Sequence, residues 1–312
     1  MATSKKKQPS PAGKAQQRTA AREKARQIAE VQERKERRGK LILRGGVAAV
    51  VLALVVVVGV VIVNANKPAV APVNYANEGI TFGKGGEVIA SPDAEKGDIP
   101  EGLTPASENL NEGAAHLKVY LDFQCPVCKT FEELNGANIN SWAQAGNVSI
   151  EYVPLPFLDR MSGGTKYSTR SANAAACLSD VAPDKYLGYM TTLFENQPEE
   201  GGTGLPDEDL ITYAKEAGVD VQAPIKTKSE DDEPVSFTEC VTNLHYGDWV
   251  KTVNDAAAED NVSATPTVLL NGEDVGTDWQ DPEAFAFTVL KAAGALDEGA
   301  DPTESPSVAP TK

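Results

Sequence analysis

The sequence predicts an α/β domain that carries an inserted all-helical subdomain and is preceded by a single N-terminal transmembrane helix. Three observations lead there. Residues 45–63 form an apolar run without a charge. Residues 116–158 alternate and then cycle with a helical period between two apolar stretches. Residues 263–294 read as a hairpin followed by a helix, about a hundred helix-rich residues further on.

The apolar run, GGVAAVVLALVVVVGVVIV, is 19 residues long. At about 1.5 Å per residue a helix of that length reaches roughly 28 Å, enough to cross the hydrocarbon core. Valine is a modest helix former in water, but in lipid the backbone must satisfy its own hydrogen bonds. Residues 1–44 carry 14 Lys or Arg against four Glu, whereas the other 268 residues carry 15 basic and 41 acidic side chains. Arg34, Lys35, Arg37, Arg38, Lys40 and Arg44 crowd the N-terminal side of the run. The positive-inside rule therefore makes 1–44 a cytoplasmic basic segment, 45–63 the membrane span and everything beyond it extracytoplasmic. So long a basic segment argues for a retained anchor rather than a cleaved signal peptide. No cysteine follows the run, so there is no site for a lipoprotein anchor. The basic segment has no interleaved aromatics and reads as a topology signal leaning on anionic lipid, not as a nucleic-acid binder.

Residues 64–78, rich in Pro, Ala and Asn, read as a linker. The extracytoplasmic domain is expected over 79–295. Residues 79–91 alternate around glycines like a hairpin, and 116–123 form a strand with Leu117, Val119 and Leu121 on one face. KTFEELNGANINSWAQAG is a helical stretch and NVSIEYVPLPFL a second strand. The insertion, about 160–260, contains helical patterns in KYSTRSANAAACLSDVA, PDKYLGYMTTLFENQ, PDEDLITYAKEAG and EPVSFTECVTNLHYGDWVKTVNDAAAED, separated by Gly and Pro breaks. SATPTVLLNGEDV is a hairpin turning at Asn271-Gly272, a strong two-residue turn signal. The closing helix has Asp281 as N-cap and Gly294 as its stop. Residues 296–312, acidic and Pro/Ser-rich, are predicted to be a disordered tail.

All four cysteines follow the span, where disulfides are permitted. In CPVC, Cys125 directly follows a strand, so it sits at the N-terminus of the next helix, with Pro126 in a first turn that needs no N–H from it. The partial positive charge there favours thiolate at Cys125, while Cys128, one turn on, faces inward. Such a pair can exchange with a foreign thiol or disulfide and resolve the mixed disulfide internally. Zinc would need four ligands, and Cys177, Cys240, His116 and His245 offer no second pair at ligand spacing. A purely structural Cys125–Cys128 bond is the bland alternative. Two histidines, no Gly-rich phosphate loop and no H-E-x-x-H leave hydrolase, kinase and protease readings without support.

DFQCPVCKTFEEL at a strand–helix junction, with ATPTVLLNG far downstream, resembles the DsbA-like branch of the thioredoxin superfamily. The resemblance covers about residues 79–294 and implies a thioredoxin fold. It implies that Cys125 is the nucleophile, that Cys128 resolves, and that Pro266 is a cis-proline facing them. Pro126, Val127, Thr265 and Pro266 would dock the substrate. Cys177 and Cys240 resemble a pair that bridges two insertion helices in some relatives; two buried free thiols are the alternative. Two positions depart from the family. Val119 stands six residues before Cys125, where thioredoxins bury a carboxylic acid. Asp122, Glu132 and Glu133 lie nearby, which leaves the proton shuttle open, with Asp122 either catalytic or a solvated, cap-assisting carboxylate. Val127 stands where strong oxidants of the family often place His, so a less oxidising potential is expected.

The expected function is that of an extracytoplasmic thiol–disulfide oxidoreductase forming disulfides in exported cysteine-containing proteins. The resemblance implies no cofactor or metal beyond the redox-active Cys125–Cys128 disulfide, and a quinone-linked membrane reoxidase as partner. A reductase or isomerase of the same fold, or a non-catalytic envelope-binding module, remain as alternatives.

Overall fold

The computed structural model describes residues 69–75, 78–89, 115–225 and 234–296, with isolated helical positions between 22 and 55. The chain divides into two units, 1–67 and 68–312. The basic segment and the span at 45–63 lie outside the described residues apart from those isolated positions, as does the tail beyond 296. Among the described residues, no helix is long and apolar enough to cross a membrane.

The second unit is built on a mixed six-stranded sheet in the order β2-β1-β4-β3-β5-β6. Strands β1 (Ile80–Phe82) and β2 (Val88–Ile89) form the expected hairpin. At the centre, β3 (Ala115–Leu121) runs parallel to β4 (Val148–Pro154), with Val119 opposite Tyr152. On its other side β3 runs antiparallel to β5 (Thr267–Leu270), with Tyr120 opposite Thr267. Leu117, Val119 and Leu121 fill one face of β3, as the alternation predicts. The opposite face is buried too, and it is polar. Lys118 lies between Glu78 and Glu151, Tyr120 Oη donates to Glu78 at 2.8 Å, and His116 contacts Ser149 and Glu151. Burial alone would lower the Lys118 pKa, but the two carboxylates outweigh it and hold the ammonium well above its usual range.

The crossover between β3 and β4 is α1 (Pro126–Phe131), a π-helical turn (Glu132–Gly136) and α2 (Ala137–Ala145). The sequence suggests one uniform helix, and the wide turn in its middle has a visible cause. Asn135 Nδ2 donates both to Phe131 O at 3.2 Å and to Trp279 O at 3.0 Å, pinning this helix to the turn before the last one. Phe131 meets Trp279 edge-on at 5.5 Å.

Among the described residues, five α-helices lie between β4 and β5: α3 (Tyr167–Val181), α4 (Tyr186–Glu195), α5 (Asp207–Glu216), α6 (Phe237–Thr242) and α7 (Gly247–Glu259). The pattern EPVSF…AAAED, read as one helical stretch, breaks where Leu244 turns left-handed at φ 50°. Asn173 on α3 holds that break by donating to Cys240 O at 3.1 Å and accepting from Tyr246 N at 2.8 Å. Cys177 and Cys240 form a disulfide between α3 and α6. After β5, Asn271 and Gly272 both take positive φ, 52° and 86°, as a tight hairpin to β6 (Glu273–Asp274) requires. Helix α8 (Pro282–Ala292) starts on Asp281, whose carboxylate accepts from Glu283 N and Ala284 N.

One boundary needs correction. Of the stretch 64–78 expected to be a linker, the described part packs onto the domain. Ala71, Tyr75 and Glu78 are buried, and the Asp180 carboxylate accepts from Val73 N and Asn74 N at 3.1 Å each. The next residue, Gly79, touches the Tyr152 backbone so closely that a β-carbon would collide with that carbonyl. Apolar contact and a buried carboxylate, neither visible in composition, draw this segment into the fold.

The disulfide closes a loop of 63 residues, worth about 4 kcal/mol on a chain-entropy account. The double variant Cys177→Ala/Cys240→Ala is expected to lose about that much stability in urea titration. Its thiol chemistry at Cys125 should be unchanged.

Candidate active site

The end of β3 and the start of α1 build the site. Asp122 O accepts Cys125 N at 2.9 Å, making a tight turn directly after the strand. Cys125 is then the N-cap of α1, with extended backbone (φ −81°, ψ 116°) and Pro126 in the first turn. Its carbonyl accepts Cys128 N at 3.1 Å and Lys129 N at 3.2 Å, which starts the helix. Cys128 is 1% exposed and Cys125 6%, while Val127 between them is 46% exposed. Both thiols are free.

Opposite lies the loop before β5. The Thr265–Pro266 peptide bond is cis, and the Cys125 thiol donates to Thr265 O at 3.3 Å. Thus Cys125, Cys128, Thr265 and Pro266, more than a hundred residues apart in sequence, share one corner of the sheet, with Thr265 and Pro266 half-buried and Pro126 and Val127 exposed. Cys177 and Cys240 belong to the insertion and are fully buried. Among the described residues, no cluster could hold a metal ion.

The two sulfurs differ electrostatically. The Cys125 pKa is lowered to about 6, first by a hydrogen bond from Cys128, then, against burial, by Thr265 and by the N–H groups of Cys128 and Val127. Burial pushes the Cys128 thiol well above its usual value. One sulfur is therefore poised as thiolate and the other held as thiol.

On sequence alone Asp122 is open between a catalytic and a solvated carboxylate. It is not solvated but fully buried, its carboxylate accepting Gln124 N at 2.8 Å and Leu158 N at 2.7 Å. Burial raises its pKa to about 7, with those two N–H groups opposing the shift. Its own N–H reaches Cys128 Sγ at 3.5 Å. Glu132 is likewise raised to about 7 by burial, against a hydrogen bond from Thr191. Sequence reasoning missed Gln197 altogether. Its Nε2 donates to Cys125 O at 2.9 Å and to Phe123 O at 3.0 Å from 72 residues away, and no local pattern announces such a contact.

The thioredoxin family model matches residues 111–289, which span β3 through most of α8 and include every residue of this site. The chain belongs to the thioredoxin family. It is 30% identical to the disulfide bond oxidoreductase DsbG of Mycobacterium tuberculosis, covering 62% of this chain and 83% of that one, with a TM-score of 0.49. Against the DsbA of the same organism the identity is 30%, the coverage 62% and 88%, and the TM-score 0.49. It is also 28% identical over 166 residues to the serine/threonine-protein kinase PknE of that bacterium, covering 52% of this chain. That match spans 27% of the kinase, so the chain spans about a quarter of the length of the curated relatives it matches.

The low Cys125 pKa has a definite sign. A depressed acid stabilises the reduced protein fully above the ordinary thiol value of 9.0, and that stabilisation is lost as pH falls through about 6. Absorbance of the reduced protein at 240 nm is expected to rise with a midpoint near pH 6 and to lose that step in Cys125→Ser. A single step near pH 9 would contradict this assignment.

Proposed function

We propose that this chain is a membrane-tethered, extracytoplasmic oxidase of protein thiols, with Cys125 as reacting sulfur and Cys128 as resolving sulfur. The observation that carries the reading is the asymmetry of the pair: a thiolate-prone sulfur at a helix N-terminus beside Thr265, with a buried thiol one turn below it.

In the oxidised enzyme the thiolate of an exported substrate protein attacks Cys125 Sγ. The Cys125–Cys128 bond breaks, and Cys128 leaves and takes up a proton. The second substrate thiolate then attacks the substrate sulfur of the mixed disulfide and displaces Cys125. Because that sulfur is the more acidic one, it is the better leaving group. The substrate gains one disulfide, the enzyme holds two electrons as a dithiol, and a quinone-linked membrane reoxidase removes them. Thr265 and Pro266, half-buried beside the sulfur, offer a short edge for an extended substrate segment, with Pro126 and Val127 flanking it. The apolar run at 45–63 and the basic residues before it support the tether and its orientation. Stabilising the Cys125 thiolate favours the reduced enzyme and hence electron uptake. The Val127 side chain has no hydrogen-bond donor to add to that, so the stabilisation comes from Cys128, Thr265 and the backbone N–H groups of Cys128 and Val127.

Equilibration of the Cys125–Cys128 pair in glutathione buffers tests the direction, with Cys125→Ser as control. A potential well above the value of about −270 mV typical of thioredoxin is expected. A value at or below it would make the chain a reductase. A pair that exchanges with nothing would leave only a binding module.

A further inference from the structure

Gln197 lies in the turn that closes α4, its N–H on Phe194 O at 3.2 Å. From there its side-chain amide reaches the active-site turn, with Nε2 on Cys125 O and Phe123 O. That end of α4 and the loop after it hold the turn at other points. Phe194 packs on Phe123 at 5.3 Å, Lys129 Nζ donates to Glu195 O at 3.4 Å, and Gln124 Nε2 donates to Gly202 O at 3.5 Å. The helical insertion therefore holds both sides of CPVC, and Gln197 makes the two shortest of these polar contacts.

The contact on Cys125 O has a chemical consequence. The N–H of Cys128 has two claimants, the Cys125 carbonyl at 3.1 Å and the Cys125 sulfur. A carbonyl oxygen has two lone pairs. With Lys129 N–H and the Gln197 amide on that oxygen, turning the Cys128 N–H toward sulfur leaves the carbonyl satisfied. Without Gln197 the carbonyl keeps a stronger hold on that N–H, and the turn between Phe123 and Cys125 loses its brace. We propose that Gln197 is a positioning residue for the thiol–disulfide chemistry, whose amide occupies the Cys125 carbonyl and so frees the Cys128 N–H to stabilise the Cys125 sulfur as an anion. The inference rests on Cys125 being the reacting sulfur, as proposed above.

The test uses the whole 312-residue chain, purified in detergent, as wild type, Gln197→Met and Gln197→Glu. Methionine keeps the length and shape without a donor; glutamate turns a carboxylate toward two carbonyl oxygens. The readouts are the 240-nm ionisation midpoint of Cys125 and the equilibrium constant with glutathione, with far-UV circular dichroism as the folding check. Gln197→Met is expected to raise the midpoint by about one pH unit and to make the enzyme about tenfold less readily reduced, about 30 mV. Gln197→Glu is expected to go further in the same direction. A brace that only supports the fold would lower the melting temperature and leave midpoint and equilibrium constant in place. That outcome, in whichever variant folds, overturns the inference while leaving the oxidoreductase reading intact. Wild-type protein with no thiol exchange removes that reading, and the inference with it.

Discussion

Everything at the catalytic end depends on one contact, the Cys125 sulfur against the Thr265 carbonyl. Two things set it. The antiparallel register of β3 and β5, with Tyr120 opposite Thr267, brings the start of β5 to the end of β3. The tight turn from Asp122 to Cys125 then tips the chain from strand into helix with the sulfur at the lip. Moving either strand by one residue would invert the facing of its side chains and separate the pair. The rest of the domain can be understood as what fixes that register and that turn.

The register is fixed from beneath by a central strand that is buried on both faces. One face is aliphatic. The other carries the Lys118 ammonium between two carboxylates, and breaking such a buried pair on one side costs about 3–5 kcal/mol. Glu78, one of those carboxylates, belongs to the segment that leads into the domain, so the entry to the fold is bonded to the strand that runs into the cysteine turn. The turn is fixed from two sides. Asp122 spans Gln124 N and Leu158 N below it, and Gln197 spans Phe123 O and Cys125 O from the insertion. Polar side chains capping backbone groups, rather than apolar packing alone, keep a reactive sulfur in a single geometry. The insertion is held to itself by the Cys177–Cys240 bond and by Asn173.

What could be read in the sequence follows the range of the interaction. The strand–helix junction at CPVC, the Asn271-Gly272 hairpin and the Asp281 cap are local, and local chemistry announces them. The α/β order with its helical insertion followed from the element pattern, and the thioredoxin architecture from the resemblance that two motifs carry. The pairing of Cys125 with Thr265 and of Cys177 with Cys240 was reached through family resemblance, since spacing alone cannot bring residues together over such distances. What stayed hidden is long-range and polar. Asp122 follows the last residue of β3, and the turn that begins there buries it, which the sequence leaves open between a catalytic and a solvated carboxylate. Residues 69–75 and Glu78 look like linker by composition, and only the Asp180 carboxylate and the burial of Ala71, Tyr75 and Glu78 reveal that they are packed. The π-helical turn depends on Asn135 meeting Trp279, 144 residues away.

The central claim is that Cys125, and not Cys128, is the sulfur that meets other proteins. Trapping tests it most directly. Cys128→Ser is reduced and offered a disulfide-bonded peptide, and the adduct is located by mass spectrometry after digestion. A stable mixed disulfide on Cys125 is expected to accumulate, because the resolving thiol is gone, while Cys125→Ser forms none on the same timescale. An adduct forming as readily on Cys128 in Cys125→Ser, or on neither cysteine in either variant, would contradict the account.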